Sequence, residues 1–277
     1  MNALRTGFAV HGQEHVFDYW AELSEPERGA LLRQARRIGD GLDEFVSAHR
    51  RALAELKAGP KPASIEPAEA ICLPEHGGDA QALESARERG LELLAAGRVA
   101  TLVVAGGQGT RLGYPGPKGA FPVGPVSQRS LFRLQAQKIS GLARRTGRSI
   151  PWYVMTSPAT DAPTRALFEA EDNFGLAPED VRIFSQGMLP AWDFDGRLIL
   201  EAPGRIAESP NGHGGSLTAL AQAGILEDMH TRGIDRLFYY QVDNPLVRMA
   251  DPVFLGLHEA VEAEMSCKVV RKADPME

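Results

Sequence analysis

An α/β fold is predicted for most of this 277-residue chain: a mostly parallel sheet covered by helices, after a helical N-terminal region. Three observations predict it. From residue 97 onward, short apolar runs alternate with longer stretches of helical periodicity, the pattern of strands joined by crossover helices. The first 58 residues carry helical spacing alone. The first strand-like run also ends in Val103-Val104-Ala105-Gly106-Gly107-Gln108-Gly109-Thr110-Arg111-Leu112-Gly113. That is a bare loop at a strand's carboxyl end, where parallel sheets bind ligands.

The elements follow in order. Ser24-Glu25-Pro26-Glu27 is a capping box with proline in the first helical turn. Leu31, Leu32, Ala35, Ile38, Leu42 and Phe45 then recur at helical spacing. Gly59-Pro60-Lys61-Pro62 reads as a connection and residues 63–78 as irregular. A second helix is expected over Asp79–Ala96, which sets a helical region at 1–96 and a catalytic domain at 97–277. Within the latter, strands are expected at Thr101–Ala105, Trp152–Thr156, Val181–Phe184, Leu237–Val242 and Cys267–Arg271. Helices are expected at Ser130–Ala143, Pro163–Asn173, Gly215–Arg232 and Pro252–Glu264. The end, Ala273-Asp274-Pro275-Met276-Glu277, makes no closing helix, so the chain reads as truncated there.

Bulk properties narrow the function. A net charge of −6 argues against a nucleic-acid binder but not against a nucleotide held in a local basic pocket. Cys72 and Cys267 have no metal-ligand spacing and read as reduced cysteines of a cytoplasmic protein. No signal peptide and no membrane span are expected.

The glycine loop is the informative stretch. Gly106, Gly107 and Gly109 remove side chains where backbone N–H groups can approach an anion. Arg111 adds a planar donor fork suited to phosphate. Lys118 follows in a loop stiffened by Pro115 and Pro117. The dinucleotide fingerprint fails because its third glycine is misplaced. The P-loop fails because Gly119 follows Lys118. A phosphate site of another kind is expected.

The sequence resembles the UDP-sugar pyrophosphorylase family, and most of all its UDP-N-acetylglucosamine branch. The resemblance rests on Leu102 through Gly113 with Pro117-Lys118, and on Gln186-Gly187-Met188-Leu189-Pro190. Asn211-Gly212-His213-Gly214-Gly215, Gln241-Val242-Asp243-Asn244-Pro245-Leu246 and the N-terminal Gly12-Gln13-Glu14-His15 complete it. It implies a Rossmann-like, GT-A-like nucleotidyltransferase fold. It implies transfer of a uridylyl group from UTP to a sugar 1-phosphate, with release of pyrophosphate and with Mg²⁺ as cofactor.

The roles it implies are specific. Gly106 and Gly107 lie against the nucleotide, and Arg111 and Lys118 are catalytic cations. Gln186 reads the uracil edge, and Gly212 sits close to the base. Asp243 holds Mg²⁺, and Asn244 faces the sugar or phosphate. His213 departs from the asparagine usual in the N-acetylglucosamine branch and matches the glucose-type branch, so either sugar stays open. Further sugar-binding groups, a second basic residue and another metal-facing acid lie beyond this chain in the family. Two alternatives stand beside the enzyme: a UTP-binding protein without turnover, and a nucleotidyltransferase for another base or sugar.

Overall fold

The computed structural model describes residues 1–59, 70–270 and 274. The expected connection from Pro60 to Pro62, residues 63–69 of the irregular stretch, and residues 271–273 and 275–277 lie outside them. The helices are α1 (Asn2–Val10), α2 (Glu25–Gly39), α3 (Leu42–Ala58), α4 (Ala80–Ala95), α5 (Leu131–Thr146), α6 (Asp161–Ala170), α7 (Ser216–Gln222), α8 (Ile225–Thr231) and α9 (Pro252–Ala260). The strands are β1 (Val99–Val104), β2 (Trp152–Thr156), β3 (Val181–Ser185), β4 (Met188–Pro190), β5 (Leu200–Ala202), β6 (Arg205–Ile206), β7 (Glu208–Pro210) and β8 (Arg236–Gln241). Among the described residues no helix is long and apolar enough to cross a membrane.

Two compact units result, Met1–Ala68 with Met188–Asn211, and Glu69–Gly187 with Gly212–Glu277. In the first, Phe8, Val16, Phe17, Leu31, Ala35, Ile38, Leu42 and Val46 of the helical segments bury themselves with Leu198 and Ile206. The capping box at Ser24 and Glu27 forms as read. Two glutamines join the helical part to the short strands. Gln13 donates to the Gly196 carbonyl at 2.8 Å and accepts from the Leu198 N–H at 2.8 Å. Gln34 does the same at Ile206, at 2.7 and 2.9 Å. The Gln34 amide thus takes the place of a strand neighbour at β6.

The second unit holds a four-stranded parallel sheet of order β3-β2-β1-β8. Its central strands are apolar on both faces, as buried parallel strands are. Val99, Val103, Trp152, Val154, Phe238 and Tyr240 face one core with residues of α4, α5, α6 and α9. Ala100, Leu102, Tyr153 and Met155 face the other core with residues of α7 and α8. In the first core Phe132, Trp152, Phe168 and Phe174 pack edge-on and tilted, at centroid distances from 4.9 to 6.4 Å. Truncating Phe132 to alanine there would cost about 3–5 kcal/mol.

Helices α4 and α9 touch backbone to backbone. A Cβ on Gly90 would lie 1.9 Å from the Pro252 carbonyl oxygen, and one on Gly256 1.7 Å from that of Ala86. Only glycine fits at either position. Helix α4 therefore belongs with the sheet rather than with the helical region expected over 1–96.

Several expectations are corrected. The helix expected over Gly215–Arg232 is two helices, α7 and α8, broken at Gly224, whose φ of +69° ends the first. The helix over Pro163–Asn173 stops at Ala170, because Asp172, Asn173 and Phe174 all take positive φ. Helix α9 stops at Ala260, shortly before Glu262 at φ +49°. Cys267–Val270 forms no strand, because its backbone finds no ladder partner among the described residues.

Candidate active site

Every strand of the parallel sheet delivers a polar or glycine residue at its carboxyl end. Gly106 follows β1, Ser157 follows β2, Gln186 follows β3 and Asp243 follows β8. The strands β1, β2 and β3 run outward in one direction, and β8 lies on the other side of β1. The switch therefore falls beside β1, where open α/β sheets form a crevice. The glycine loop begins there.

Local pairing folds that loop. Gln108 bridges to Pro117, and the Gly109 N–H donates to the Gly116 carbonyl at 2.8 Å. A single turn, Thr110–Leu112, ends at Gly113 with φ +66°. The Lys118 N–H returns to the Gly107 carbonyl at 3.0 Å. Gly119 then lies flat on Phe132, whose ring would meet its Cβ at 2.2 Å, so the aromatic core fixes the end of the loop.

The Lys118 ammonium lies 2.9 Å from the Asp243 carboxylate oxygen Oδ2. Helix α5 braces both partners. Its Leu131 N–H donates to the Phe121 carbonyl at 3.1 Å, beside the Lys118 turn. Its buried Gln135 donates to the Val242 carbonyl at 2.9 Å. Lys138 donates to the carbonyls of Pro245 and Val247, at 2.7 and 2.9 Å. Burial lowers the Lys138 pKa, yet two carbonyls hold the ammonium in place. The segment carrying Asp243 and Asn244 is thus pinned on both sides.

The β2–β3 side is different. Gln186 is buried, and its N–H donates to the Thr156 carbonyl at 2.9 Å. Its Oε1 is buried without a hydrogen-bond partner among the described residues, which is costly unless a ligand supplies a donor. Its Nε2 stands 2.5 Å from where a Cβ on Gly106 would be, so Gly106 makes room for the amide. Ser157 and Thr160 lie beneath, both buried.

The remaining predicted residues fall less tightly. Arg111 is exposed and makes no ion pair or hydrogen bond among the described residues. Gly212 takes φ +64° in the open turn before α7. His213 is exposed, and its Nδ1 hydrogen-bonds the Tyr239 hydroxyl of β8. Asn244 directs its Oδ1 to the Leu246 N–H at 3.1 Å, an Asx turn that occupies its acceptor. The structure therefore joins Gly107, Lys118 and Asp243 in one group, and Gly106 and Gln186 in another. It joins neither Arg111 nor Asn244 to either by a side-chain contact. Sequence reasoning missed Gln135, Lys138, Ser157, Thr160 and Tyr239. A cluster of hydroxyls straight after a strand, Thr156-Ser157-Pro158-Ala159-Thr160, was the one available signal.

Comparison with known proteins gives a consistent set. A family model described as UTP–glucose-1-phosphate uridylyltransferase (UDPGP) matches residues 42–276. UDP-N-acetylglucosamine diphosphorylase 2 of Arabidopsis thaliana is 39% identical, over 96% of this chain and 55% of that protein. UDP-N-acetylglucosamine pyrophosphorylase of Saccharomyces cerevisiae is 35% identical, over 98% and 58%. The crystal structure of the uridine diphosphate N-acetylglucosamine pyrophosphorylase from Trypanosoma brucei, in complex with inhibitor, matches with a TM-score of 0.76 and 28% identity, over 95% of this chain and 55% of that one. The chain spans about half the length of the curated relatives it matches.

Proposed function

The chain belongs to the UTP–glucose-1-phosphate uridylyltransferase family, and from that premise we propose that its sheet-bearing unit binds UTP and a sugar 1-phosphate for uridylyl transfer. The sugar phosphate oxygen attacks the α-phosphorus of UTP in line. The bond from that phosphorus to the bridging oxygen breaks, and pyrophosphate leaves. No protein nucleophile takes part, so catalysis is positioning and charge stabilisation. Relatives named for UDP-N-acetylglucosamine favour N-acetylglucosamine 1-phosphate as the acceptor.

The observation that carries this reading is the Lys118–Asp243 pair at 2.9 Å beside the Gly107 backbone. A cation and a carboxylate at a strand-end crevice suit a triphosphate and its counter-ion. Lys118 meets the phosphate oxygens, and Arg111, exposed and unpaired among the described residues, closes on the triphosphate. Gln186 offers its unpartnered Oε1 to the uracil imide N–H and its Nε2 to a uracil carbonyl. Gly106 and Gly212 leave room for the base, and His213 and Asn244 face the sugar phosphate.

Mg²⁺ fits the donors present. The described residues contain no group of three His, Cys, Asp or Glu side chains able to cage a metal. Asp243 offers one exposed carboxylate, which suits an ion that takes its other ligands from phosphates and water. Bound there, Mg²⁺ would neutralise phosphate oxygens as charge moves to the leaving pyrophosphate. A cytoplasmic location fits the two free, exposed cysteines.

Pyrophosphate release from UTP and Mg²⁺ tests the proposal, first with N-acetylglucosamine 1-phosphate and then with glucose 1-phosphate. Release with either supports uridylyl transfer and names the sugar. UTP binding without release by either leaves a nucleotide-binding protein. Tighter binding of CTP or ATP than of UTP removes Gln186 as a uracil reader.

A further inference from the structure

Two adjacent glycines pose a problem for a binding loop. The peptide joining Gly106 to Gly107 has no side chain on either flank, so sterics set little barrier to its rotation. Both faces of that peptide matter. The chain has no cis peptide among the described residues. In a trans unit the Gly106 C=O and the Gly107 N–H therefore point in opposite directions. Whatever holds the carbonyl aims the amide.

The holder is Ser157. Its hydroxyl donates to the Gly106 carbonyl at 2.7 Å. It also lies 3.0 Å from the Thr160 hydroxyl, which accepts from the Ser157 N–H at 3.1 Å. A carbonyl only accepts, so the one Ser157 proton goes to Gly106. The Thr160 proton then has two acceptors on Ser157, the hydroxyl at 3.0 Å and the backbone carbonyl at 3.4 Å, and the nearer hydroxyl makes the better bond. Both hydroxyls are buried, where such a chain is mutually strengthened and expensive to misalign. The Gly107 N–H is thereby turned away from β2. Among the described residues it has no acceptor. Lys118 lies beside it, its Nζ 3.8 Å from where a Gly107 Cβ would be.

We propose that Ser157, backed by Thr160, is a positioning residue that fixes the Gly106–Gly107 peptide so that the Gly107 N–H stands ready as a phosphate donor beside Lys118. Ser157 does not touch the ligand; it acts through the backbone. The inference rests on the reading of this loop as a UTP site, but its structural half can be tested without any ligand.

The experiment uses the whole chain as wild type, Ser157→Ala and Ser157→Thr. UTP binding is followed by calorimetry, and the Gly107 amide by ¹H–¹⁵N correlation spectra of the free protein. Ser157→Ala is expected to keep the fold, to move and broaden the Gly107 amide resonance, and to weaken UTP about tenfold, the scale of one hydrogen bond to a charged group. Ser157→Thr keeps the hydroxyl and should restore both readouts to within about twofold. A Gly107 amide unchanged in Ser157→Ala overturns the proposal, whatever happens to binding. So does UTP affinity that is unchanged although the amide has moved. If wild type binds no UTP, the functional reading falls and the donor role falls with it, while the moved amide would still establish the peptide latch. Unfolding of Ser157→Ala would be met by Thr160→Val, which breaks the relay one step back and must move the same amide.

Discussion

The two sides of the crevice are built from different chemistry. On the β2–β3 side the groups are neutral and buried: Ser157, Thr160 and Gln186. On the β8 side they are charged and reach solvent, with Lys118 paired to Asp243. The Ser157 and Thr160 hydroxyls are satisfied inside the protein, so that side is ordered before any ligand arrives and leaves the Gln186 Oε1 for one. Exposed charges hold each other weakly in water, so the other side takes its final form from what it binds. Even the carboxylate nearest the neutral side is occupied within the protein. Asp161 accepts from the Thr156 hydroxyl at 2.6 Å and from Arg165 at 2.7 Å.

The largest expected effect lies on the charged side. Lys118→Met should lower pyrophosphate release about 10²–10³-fold while shifting unfolding stability by less than about 0.5 kcal/mol. A loss below tenfold would break the division of labour. Next is Gly106→Ala on the neutral side. Its Cβ meets Gln186 Nε2 at 2.5 Å and the Ser157 Cβ at 3.2 Å, so the amide must move. UTP affinity should fall about tenfold and stability by about 1–3 kcal/mol, read by calorimetry and denaturant unfolding. If both stay at wild-type values, the neutral side is not preorganised.

A smaller effect is expected at His213→Asn, which removes the hydrogen bond to Tyr239. The ratio of kcat/KM for N-acetylglucosamine 1-phosphate over glucose 1-phosphate should rise a few-fold, about 1 kcal/mol of discrimination. An unmoved ratio would take His213 out of sugar choice. The smallest concerns acid. Burial would raise the Asp161 pKa, but hydrogen bonds from Arg165 and Thr156 outweigh it and hold it below 3.8. A folded value below the unfolded one gives stability that is present above about pH 4 and lost as pH falls through the folded value. Asp161→Asn should therefore lower the melting temperature near neutrality, where that stability is present, and flatten its fall at acid pH, so that the two proteins converge there.

How much of this the sequence held depends on the kind of signal. Strands β1 and β2 were legible because both faces are buried and the runs are continuously apolar. Helix starts were legible at Ser24, Asp79 and Ser130, since each side chain caps its own helix. The antiparallel pairs β4–β7 and β5–β6 were not, because two or three residues carry no periodicity and β6 takes part of its pairing from Gln34, far away in the chain. Gly224 looked like any glycine within a helical pattern, and only its backbone angle splits α7 from α8. In the crevice, Lys118 and Asp243 could be named as chemistry, while their meeting across 125 residues could not be read. Gln135, Lys138 and Ser157 were invisible because they work through other residues' carbonyls, and a carbonyl leaves no mark in a sequence.

The glycine contact between α4 and α9 has a temporal side. Helix α4 comes just before β1, and α9 is the last helix among the described residues. During synthesis from the amino end, α4 therefore emerges long before the helix it must touch. Until Gly256 leaves the ribosome, one side of α4 and the apolar face of β8 have no cover from α9. The nascent chain should depend on chaperones through that interval, and protease sensitivity of stalled chains should fall sharply once α9 is out. A bulkier residue at Gly90 would then act first as a defect of biogenesis, lowering yield in the cell before any folded protein could be assayed.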